Sequence, residues 1–183
     1  MFNKLTLKFQ FVFLAITTFF GLFFLYSNTS KSFVDTSLPS LEGEYGKWKV
    51  FSVEQSNKKI CYTVSNPIEM AGNHNSDRVP YIMVSIFGNN KQEVSISSGY
   101  IFRTYSTVSV SIDGIQERFV AESESLAWPE KNGSDKRIIK EMQDGYKIFV
   151  FSESYSGTYS VDTYSLAGFK KAIEKTKKLC GVK

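Results

Sequence analysis

The chain has 183 residues, of which 42% are hydrophobic and 22% are charged, and its formal net charge is +4. These values exclude a disordered chain and a protein that is embedded in a membrane along its whole length. They also argue against a nucleic-acid-binding protein, which usually presents a concentrated basic surface, because residues 28–183 carry 20 basic and 18 acidic residues. The length is suited to one domain behind a leader.

Residues 1–27 are predicted to be a signal peptide or an N-terminal membrane anchor. An apolar run at residues 9–26 follows Lys4 and Lys8 and precedes a polar segment, which is the order of a secretory signal. The run is also just long enough to span a bilayer, and residues 24–27 lack a small-residue cleavage site. Both alternatives predict export, either to the periplasm or envelope, or to an anchored position at the inner membrane. Residues 28–45 are polar, contain Pro39 and are predicted to be a linker.

Residues 46–183 are predicted to form one domain that begins with several short strands. Strand-like runs at residues 47–53 and 60–64 flank a polar turn and indicate a hairpin. Residues 69–79 have no hydrophobic pattern and are predicted to be a loop, after which residues 80–87 and 93–97 are again strand-like. The clearest hairpin has Asp113-Gly114 between alternating runs at residues 107–112 and 115–121.

The last third of the sequence predicts a short helix, a closing hairpin and a longer helix. A loop that ends at Trp128-Pro129 precedes a helix with Ser134 at its N-cap and Gly145 at its C-cap. The inner face of this helix is predicted to consist of Ile138, Ile139 and Met142. Strands at residues 147–151 and 158–164 then lead to an amphipathic helix with apolar residues at helical spacing, namely Phe169, Ala172, Ile173 and Leu179.

The order of these elements predicts the fold class. About eight or nine short strands with turn signals, and no alternation of strands with helices, are typical of an antiparallel fold. We therefore expect a mainly β protein, with a single β-sandwich or barrel-like domain of short antiparallel strands. A short helix and a C-terminal cover helix complete it.

The two cysteines, Cys61 and Cys180, are predicted to form a disulfide, because an even cysteine count in an exported protein usually indicates one. This bond would fasten the terminal helix to the first hairpin. A buried thiol at Cys61 and intermolecular pairing through Cys180 are the alternatives.

No residue pattern in the sequence predicts a catalytic, cofactor or metal site. His74 is the single histidine and has no nucleophile signature near it. Glu117, Glu122 and Glu124 are interpreted as solvated strand residues rather than as a glycosidase pair. Asp162 interrupts an uncharged strand, and we expect its carboxylate to accept hydrogen bonds from turn amides or from the hydroxyls of Thr158 and Tyr164.

Several segments, in order along residues 46–180, resemble the invasion-associated locus B family of exported bacterial proteins. They are GKW at 46–48, KICY at 59–62, SNP at 65–67, RVPYIMVS at 78–85, EVS at 93–95, GY at 99–100, AW at 127–128, SGT at 156–158 and DTYSLAGF at 162–169. The resemblance implies an exported, periplasmic or envelope-associated protein of an alphaproteobacterium, in a family linked in some members to host-cell invasion. It supplies no catalytic residues.

The functional hypothesis is therefore an exported, non-enzymatic binding protein with an unknown protein or envelope partner. We expect no nucleic acid, no cofactor and no identified small-molecule substrate, and membrane contact only through the N-terminal apolar segment. The expected contact surfaces are the exposed tyrosines and the lysine-rich C-terminal helix. The alternative interpretation of these lysines is that they form the solvated face of the helix. Two alternatives are a membrane-anchored envelope assembly factor and a periplasmic enzyme or enzyme inhibitor. A cleft that holds Asp162 or His74 beside a second titratable group would favour the enzyme.

Overall fold

The computed structural model describes residues 38–182, apart from positions 57, 75–76 and 124. The predicted leader at residues 1–27, and the part of the predicted linker that precedes residue 38, lie outside the described residues. In the part of the chain that is described, no helix is both long enough and apolar enough to cross a membrane.

The described residues form eleven strands and two helices. The strands are β1 (Ser40–Tyr45), β2 (Trp48–Gln55), β3 (Lys58–Ser65), β4 (Glu69–Gly72), β5 (Tyr81–Phe87), β6 (Gln92–Ser97), β7 (Thr107–Ile112), β8 (Ile115–Ala121), β9 (Ala127–Pro129), β10 (Lys147–Glu153) and β11 (Tyr159–Ser165). The helices are α1 (Asp135–Asp144) and α2 (Phe169–Leu179).

All eleven strands belong to one antiparallel sheet with the order β1-β2-β3-β5-β6-β9-β8-β7-β10-β11-β4. The sheet curves back on itself, because Trp48 on β2 donates a hydrogen bond through Nε1 to the carbonyl oxygen of Ser165 on β11, at 2.9 Å. These two strands lie near opposite ends of the strand order. The predicted mainly β, antiparallel class with a C-terminal helix is confirmed, and a single curved sheet provides the predicted barrel-like arrangement.

The core lies on the concave side of the sheet, where alternate strand residues meet the two helices. On β2, Trp48 and Val50 are buried while Lys49 between them is exposed, as the two-residue period of a strand requires. The ring of Trp48 packs against that of Phe169 on α2, with 4.6 Å between the ring centroids. This contact places α2 over β2 and β3.

Both predicted helices are present, and their predicted inner faces are buried, although Leu179 is only half-buried. Ser134 and Gly145 occupy the predicted N-cap and C-cap positions of α1, but neither has the geometry most typical of a cap. Ser134 donates its hydroxyl to the carbonyl of Lys131 at 2.7 Å rather than capping the helix with its side chain. Gly145 has a φ of −91° and so is not a left-handed cap. A Cβ there would lie 3.0 Å from the carbonyl oxygen of Glu141, so close packing is what favours glycine.

Three segments that the sequence assigned to a linker or to loops are strands. Residues 40–45 form β1, within the predicted linker at residues 28–45, and residues 69–72 form β4, within a predicted loop. Residues 127–129 form β9, where the end of a loop was expected. Because β1 and β4 are the edges of the sheet, one side of each pairs with no strand in the described residues. Their sequences therefore carry little of the apolar alternation that marks an inner strand.

The predicted disulfide between Cys61 on β3 and Cys180 at the end of α2 is present, with 5.9 Å between the Cα atoms. It closes a loop with a sequence separation of 119 residues. In the chain-entropy model, a loop of this length stabilises the folded state by about 4–5 kcal/mol. The bond fixes the C-terminal end of α2 to the sheet, while the Trp48–Phe169 contact fixes the beginning of the helix.

Two glycines allow the turn between β1 and β2 to lie against the start of α2. Gly46 has a φ of +62°, and a Cβ at this position would lie 2.3 Å from the carbonyl oxygen of Ala167. Gly168 has a φ of +93°, and a Cβ there would lie 2.1 Å from the carbonyl oxygen of Tyr45. Both the left-handed backbone and the short distance therefore require glycine.

We expect the substitution Gly46→Ala to destabilise the protein more than the matched substitution Gly157→Ala. Both glycines have positive φ values, but a Cβ at Gly157 would meet no atom within 4 Å. The left-handed conformation alone costs about 1–2 kcal/mol for alanine, and the backbone clash at Gly46 adds about 1–3 kcal/mol. Urea denaturation of both variants measures the difference, and equal losses would show that the close approach contributes nothing.

Candidate functional site

The described residues bury one ion pair, between Arg78 and Asp162. The side chain of Arg78 is 3% exposed and that of Asp162 is 0% exposed. Arg78 precedes β5 and Asp162 lies on the inner face of β11, so the pair joins segments 84 residues apart. Nη1 donates to Oδ2 at 2.6 Å, and Nη2 donates to Oδ1. This two-point arrangement is the strongest geometry available to an arginine and a carboxylate.

The expected partners of Asp162 were turn amides or the hydroxyls of Thr158 and Tyr164, and that expectation is wrong. The carboxylate is bound by Arg78, which lies far away in the sequence. The hydroxyl of Tyr164 is buried and has no hydrogen-bond partner among the described residues. Burial, and secondarily the charge of Asp162, raises the pKa of Tyr164 well above its usual value.

Arg78 also connects three further parts of the chain. Its Nη1 donates to the carbonyl oxygen of Ser98 at 3.0 Å, next to the end of β6. Its Nε donates to a ring nitrogen of His74, at 2.8 Å from Nδ1, and its guanidinium carbon lies 5.9 Å from the centroid of the Tyr100 ring. The guanidinium of Arg78 is therefore compensated by one carboxylate and held by two further hydrogen-bond acceptors and an aromatic face.

A network of buried hydroxyls lies beside the ion pair. The hydroxyl of Tyr100 is 2.7 Å from Oγ of Ser152, 2.9 Å from Oγ of Ser160, and also donates to the carbonyl oxygen of Ser152. Oγ of Ser98 lies 2.6 Å from Oγ of Ser152. Ser152 and Ser160 point inward because they alternate with outward residues on β10 and β11. A network in which every member has a partner gives a core region one defined arrangement.

A cleft of about 510 Å³ opens above this network. His74, Asp77, Arg78 and Tyr100 line one part of it, and Tyr155 lies in its wall. His74 and Asp162 are therefore both bound by Arg78. No pattern in the sequence had predicted that these two residues lie close together. The residue that the sequence analysis missed is Arg78, a lone arginine directly before the apolar run of β5.

The chemistry available at this place is limited by its contacts. Both carboxylate oxygens of Asp162 accept bonds from Arg78 inside the protein, so Asp162 does not reach a ligand in the cleft. Within the described residues, no three His, Cys, Asp or Glu side chains come close enough together to hold a metal ion. The network is therefore suited to fixing the walls of the cleft.

Glu117 and Glu122, two of the glutamates that the sequence singled out, have different surroundings. Glu117 binds Arg137 of α1 through both carboxylate oxygens, on the surface. Glu122 lines a separate cleft beside Trp128, and Glu124 lies outside the described residues.

A second surface feature lies on the opposite side of β10 and β11. Phe149, Phe151 and Tyr159 are 44%, 40% and 42% exposed, and we call these three residues the outer aromatic surface. They alternate with the inward serines and valines of the same two strands. The rings of Phe151 and Tyr159 are 6.1 Å apart, and Phe149 lies two residues before Phe151 on the same side of β10. Tyr146 and Tyr155 are also exposed.

The chain is similar to known proteins at the level of solved structures. No family model matches the chain, and no curated protein matches it. Among solved structures, the chain is similar to the crystal structure of invasion associated protein B from Bartonella henselae, with a TM-score of 0.56 and 16% sequence identity. The match covers 78% of this chain and 97% of that chain. At this identity the likeness shows a shared fold alone, which is the fold that the sequence resemblance implied.

We expect the substitution Tyr100→Phe to destabilise the protein by about 1–3 kcal/mol, because it leaves buried serine hydroxyls without their central partner. The matched control is Tyr155→Phe, since Tyr155 is 72% exposed on the wall of the same cleft. Surface changes of this kind alter stability by about 0.5 kcal/mol or less. Urea denaturation checks both variants, and a Tyr100→Phe protein as stable as the control would mean that the network does not hold the cleft.

Proposed function

We propose that this chain is an exported, non-enzymatic binding protein of the bacterial periplasm or envelope, which binds a protein partner through its outer aromatic surface. The observation that carries the proposal is the exposure of Phe149, Phe151 and Tyr159 side by side on two neighbouring strands. Contiguous apolar patches on a folded protein usually mark interaction sites. Aromatic residues are enriched in such interfaces and contribute most of their binding energy.

The inner side of the same strands supports this assignment. Ser152, Ser160 and Asp162 hold β10 and β11 in one arrangement through Tyr100 and Arg78. A rigid strand pair presents its outer side chains in a fixed geometry, which reduces the entropy lost on binding. The outer aromatic surface therefore has the preorganisation that a specific binding site needs.

Export is supported by the disulfide and by the fold. Disulfides persist in oxidising compartments such as the periplasm and are rare in the cytosol, and the bond between Cys61 and Cys180 fits the former. The apolar run at residues 9–26 provides a signal or an anchor for that route. The shared fold is that of a Bartonella henselae protein whose name associates it with invasion, and a host-cell protein is therefore the second partner class to test after an envelope protein.

A periplasmic enzyme or enzyme inhibitor is the second candidate. The observation in its favour is the cleft in which His74, Asp77 and Arg78 come together. Against it, the carboxylate of Asp162 is occupied by Arg78, and Tyr164 is fully buried and does not line the cleft. We therefore place binding through the outer surface first.

The proposal predicts where photo-crosslinks form in cells that produce the protein. A benzophenone amino acid is placed at Phe151, at Tyr155 in the cleft, or at Leu41. Leu41 is the control, because it is exposed but lies on the edge strand β1, at the other end of the strand order. We expect one discrete crosslinked protein from position 151 and none from positions 155 and 41. The crosslinked product should appear in the periplasmic or envelope fraction, and its mass should show an oxidised cysteine pair.

Three outcomes would contradict the proposal. Crosslinks from position 155 alone would favour the cleft and the enzyme or inhibitor. Equal crosslinking from all three positions would indicate contact without a defined surface. Recovery of the protein with reduced cysteines from the cytosolic fraction would exclude export.

A further inference from the structure

A larger cleft, which includes the disulfide residue Cys180, shares no lining residue with the first cleft or with the outer aromatic surface. It has a volume of about 900 Å³ and lies between the turn joining β2 to β3 and the turn joining β5 to β6. Strands β3 and β5 pair as far as Ile60 and Phe87, and the lining of the cleft comes mostly from residues beyond that pair. Leu179 and Cys180 at the C-terminal end of α2 close its base.

The described residues that line this cleft carry positive charge only. Lys58, Lys59 and Lys91 are among them, and none is Asp or Glu. Lys91 is occupied, because its Nζ lies 2.9 Å from Oε2 of Glu93 and 5.5 Å from the centroid of the Phe87 ring. Lys58 and Lys59 form no ion pair within the described part of the chain. Glu54 faces Lys59 in the register of β2 and β3, outside the cleft lining.

The cleft also has an apolar part that is held in place. Ile60, Phe87 and Leu179 are half-buried and contribute to its lining. Sγ of Cys180 lies 3.4 Å from the carbonyl oxygen of Ile86 and 3.7 Å from that of Lys59. Because a disulfide sulfur carries no hydrogen, these are packing contacts. They fix the end of α2 against β3 and β5, so the base of the cleft belongs to the rigid part of the fold.

We propose that this cleft binds a small amphipathic anion, with one carboxylate or phosphate at Lys58 and Lys59 and an apolar body against Ile60, Phe87 and Leu179. A purely apolar ligand would remove the lysine charges from water without compensation. A small hydrophilic anion would leave the apolar lining in water. The volume is in the range of sites that enclose small organic ligands. This site goes beyond the proposed function, because it shares no residue with the outer aromatic surface.

An amphipathic anion of this kind has two natural sources. One is a free single-chain amphiphile, and the other is an anionic membrane lipid that offers its headgroup and chain. The full-length protein purified from its producing cells is titrated calorimetrically with dodecyl phosphate below its micelle concentration. The same titration with inorganic phosphate tests the charge alone, and dodecyltrimethylammonium tests the chain with the opposite charge. Vesicles of phosphatidylglycerol and of phosphatidylcholine test the membrane source by flotation.

We expect saturable binding of one dodecyl phosphate, weakened by added salt, with no binding of inorganic phosphate or of the cationic amphiphile. The double variant Lys58→Gln/Lys59→Gln should weaken it about tenfold. The matched control is Lys170→Gln/Lys171→Gln, which removes the same charge from the beginning of α2, about 13 Å along the helix from the cleft, and it should leave binding unchanged. Thermal unfolding confirms that both variants fold, since the substituted side chains are exposed or half-buried.

The comparison of variants decides the outcome. Loss of phosphatidylglycerol binding in Lys58→Gln/Lys59→Gln, but not in the control, would support the site and assign it to a membrane lipid. Binding of the monomeric amphiphile without vesicle binding would support it and assign it to a free ligand. Equal weakening in both variants, equal binding of the cationic amphiphile, or no saturable binding would overturn the proposal. None of these results depends on crosslinking at Phe151. The proposed ligand site and the proposed function can therefore be contradicted independently of each other.

Discussion

The buried ion pair between Arg78 and Asp162 is the constraint on which the arrangement of this protein depends. It connects β11, near one end of the strand order, to the segment before β5, and through Ser98 to the end of β6. Neither charge can remain in the interior without the other, because an uncompensated buried charge costs several kcal/mol. The pair therefore favours a curved sheet, in which β11 comes close to the segment before β5. Two contacts of α2 support the same curvature, namely the packing of Phe169 on Trp48 and the disulfide to β3.

The two faces of β10 and β11 divide structural and proposed binding roles between them. The inward hydroxyls of Ser152 and Ser160 meet Tyr100, and the outward rings of the outer aromatic surface meet water. This division follows from the two-residue period of a strand, so one strand pair can be held rigidly from inside and still offer an apolar contact surface outside. The lysine-lined cleft beside the disulfide relies on a different rigid element, the end of α2.

Local signals in the sequence predicted the parts of the fold that local physics determines. The hairpin around Asp113-Gly114 and the inner face of α1 were predictable because turn chemistry and periodicity involve neighbouring residues. The edge strands β1 and β4 were not, since they become strands only by pairing with β2 and β11. Asp162 was recognisable as an unusual carboxylate, but its partner was not, because Arg78 lies 84 residues away. The close packing at Gly145 depends equally on distant atoms.

The most direct test of this account is a double-mutant cycle on Arg78→Met and Asp162→Asn, measured by urea denaturation. Each single substitution leaves one buried charge uncompensated and should reduce the free energy of unfolding by about 3–5 kcal/mol. The double variant leaves no such charge, so its loss should be much smaller than the sum of the two single losses. Single losses that simply add, or that stay below about 1 kcal/mol as for exposed pairs, would contradict the central role of the ion pair.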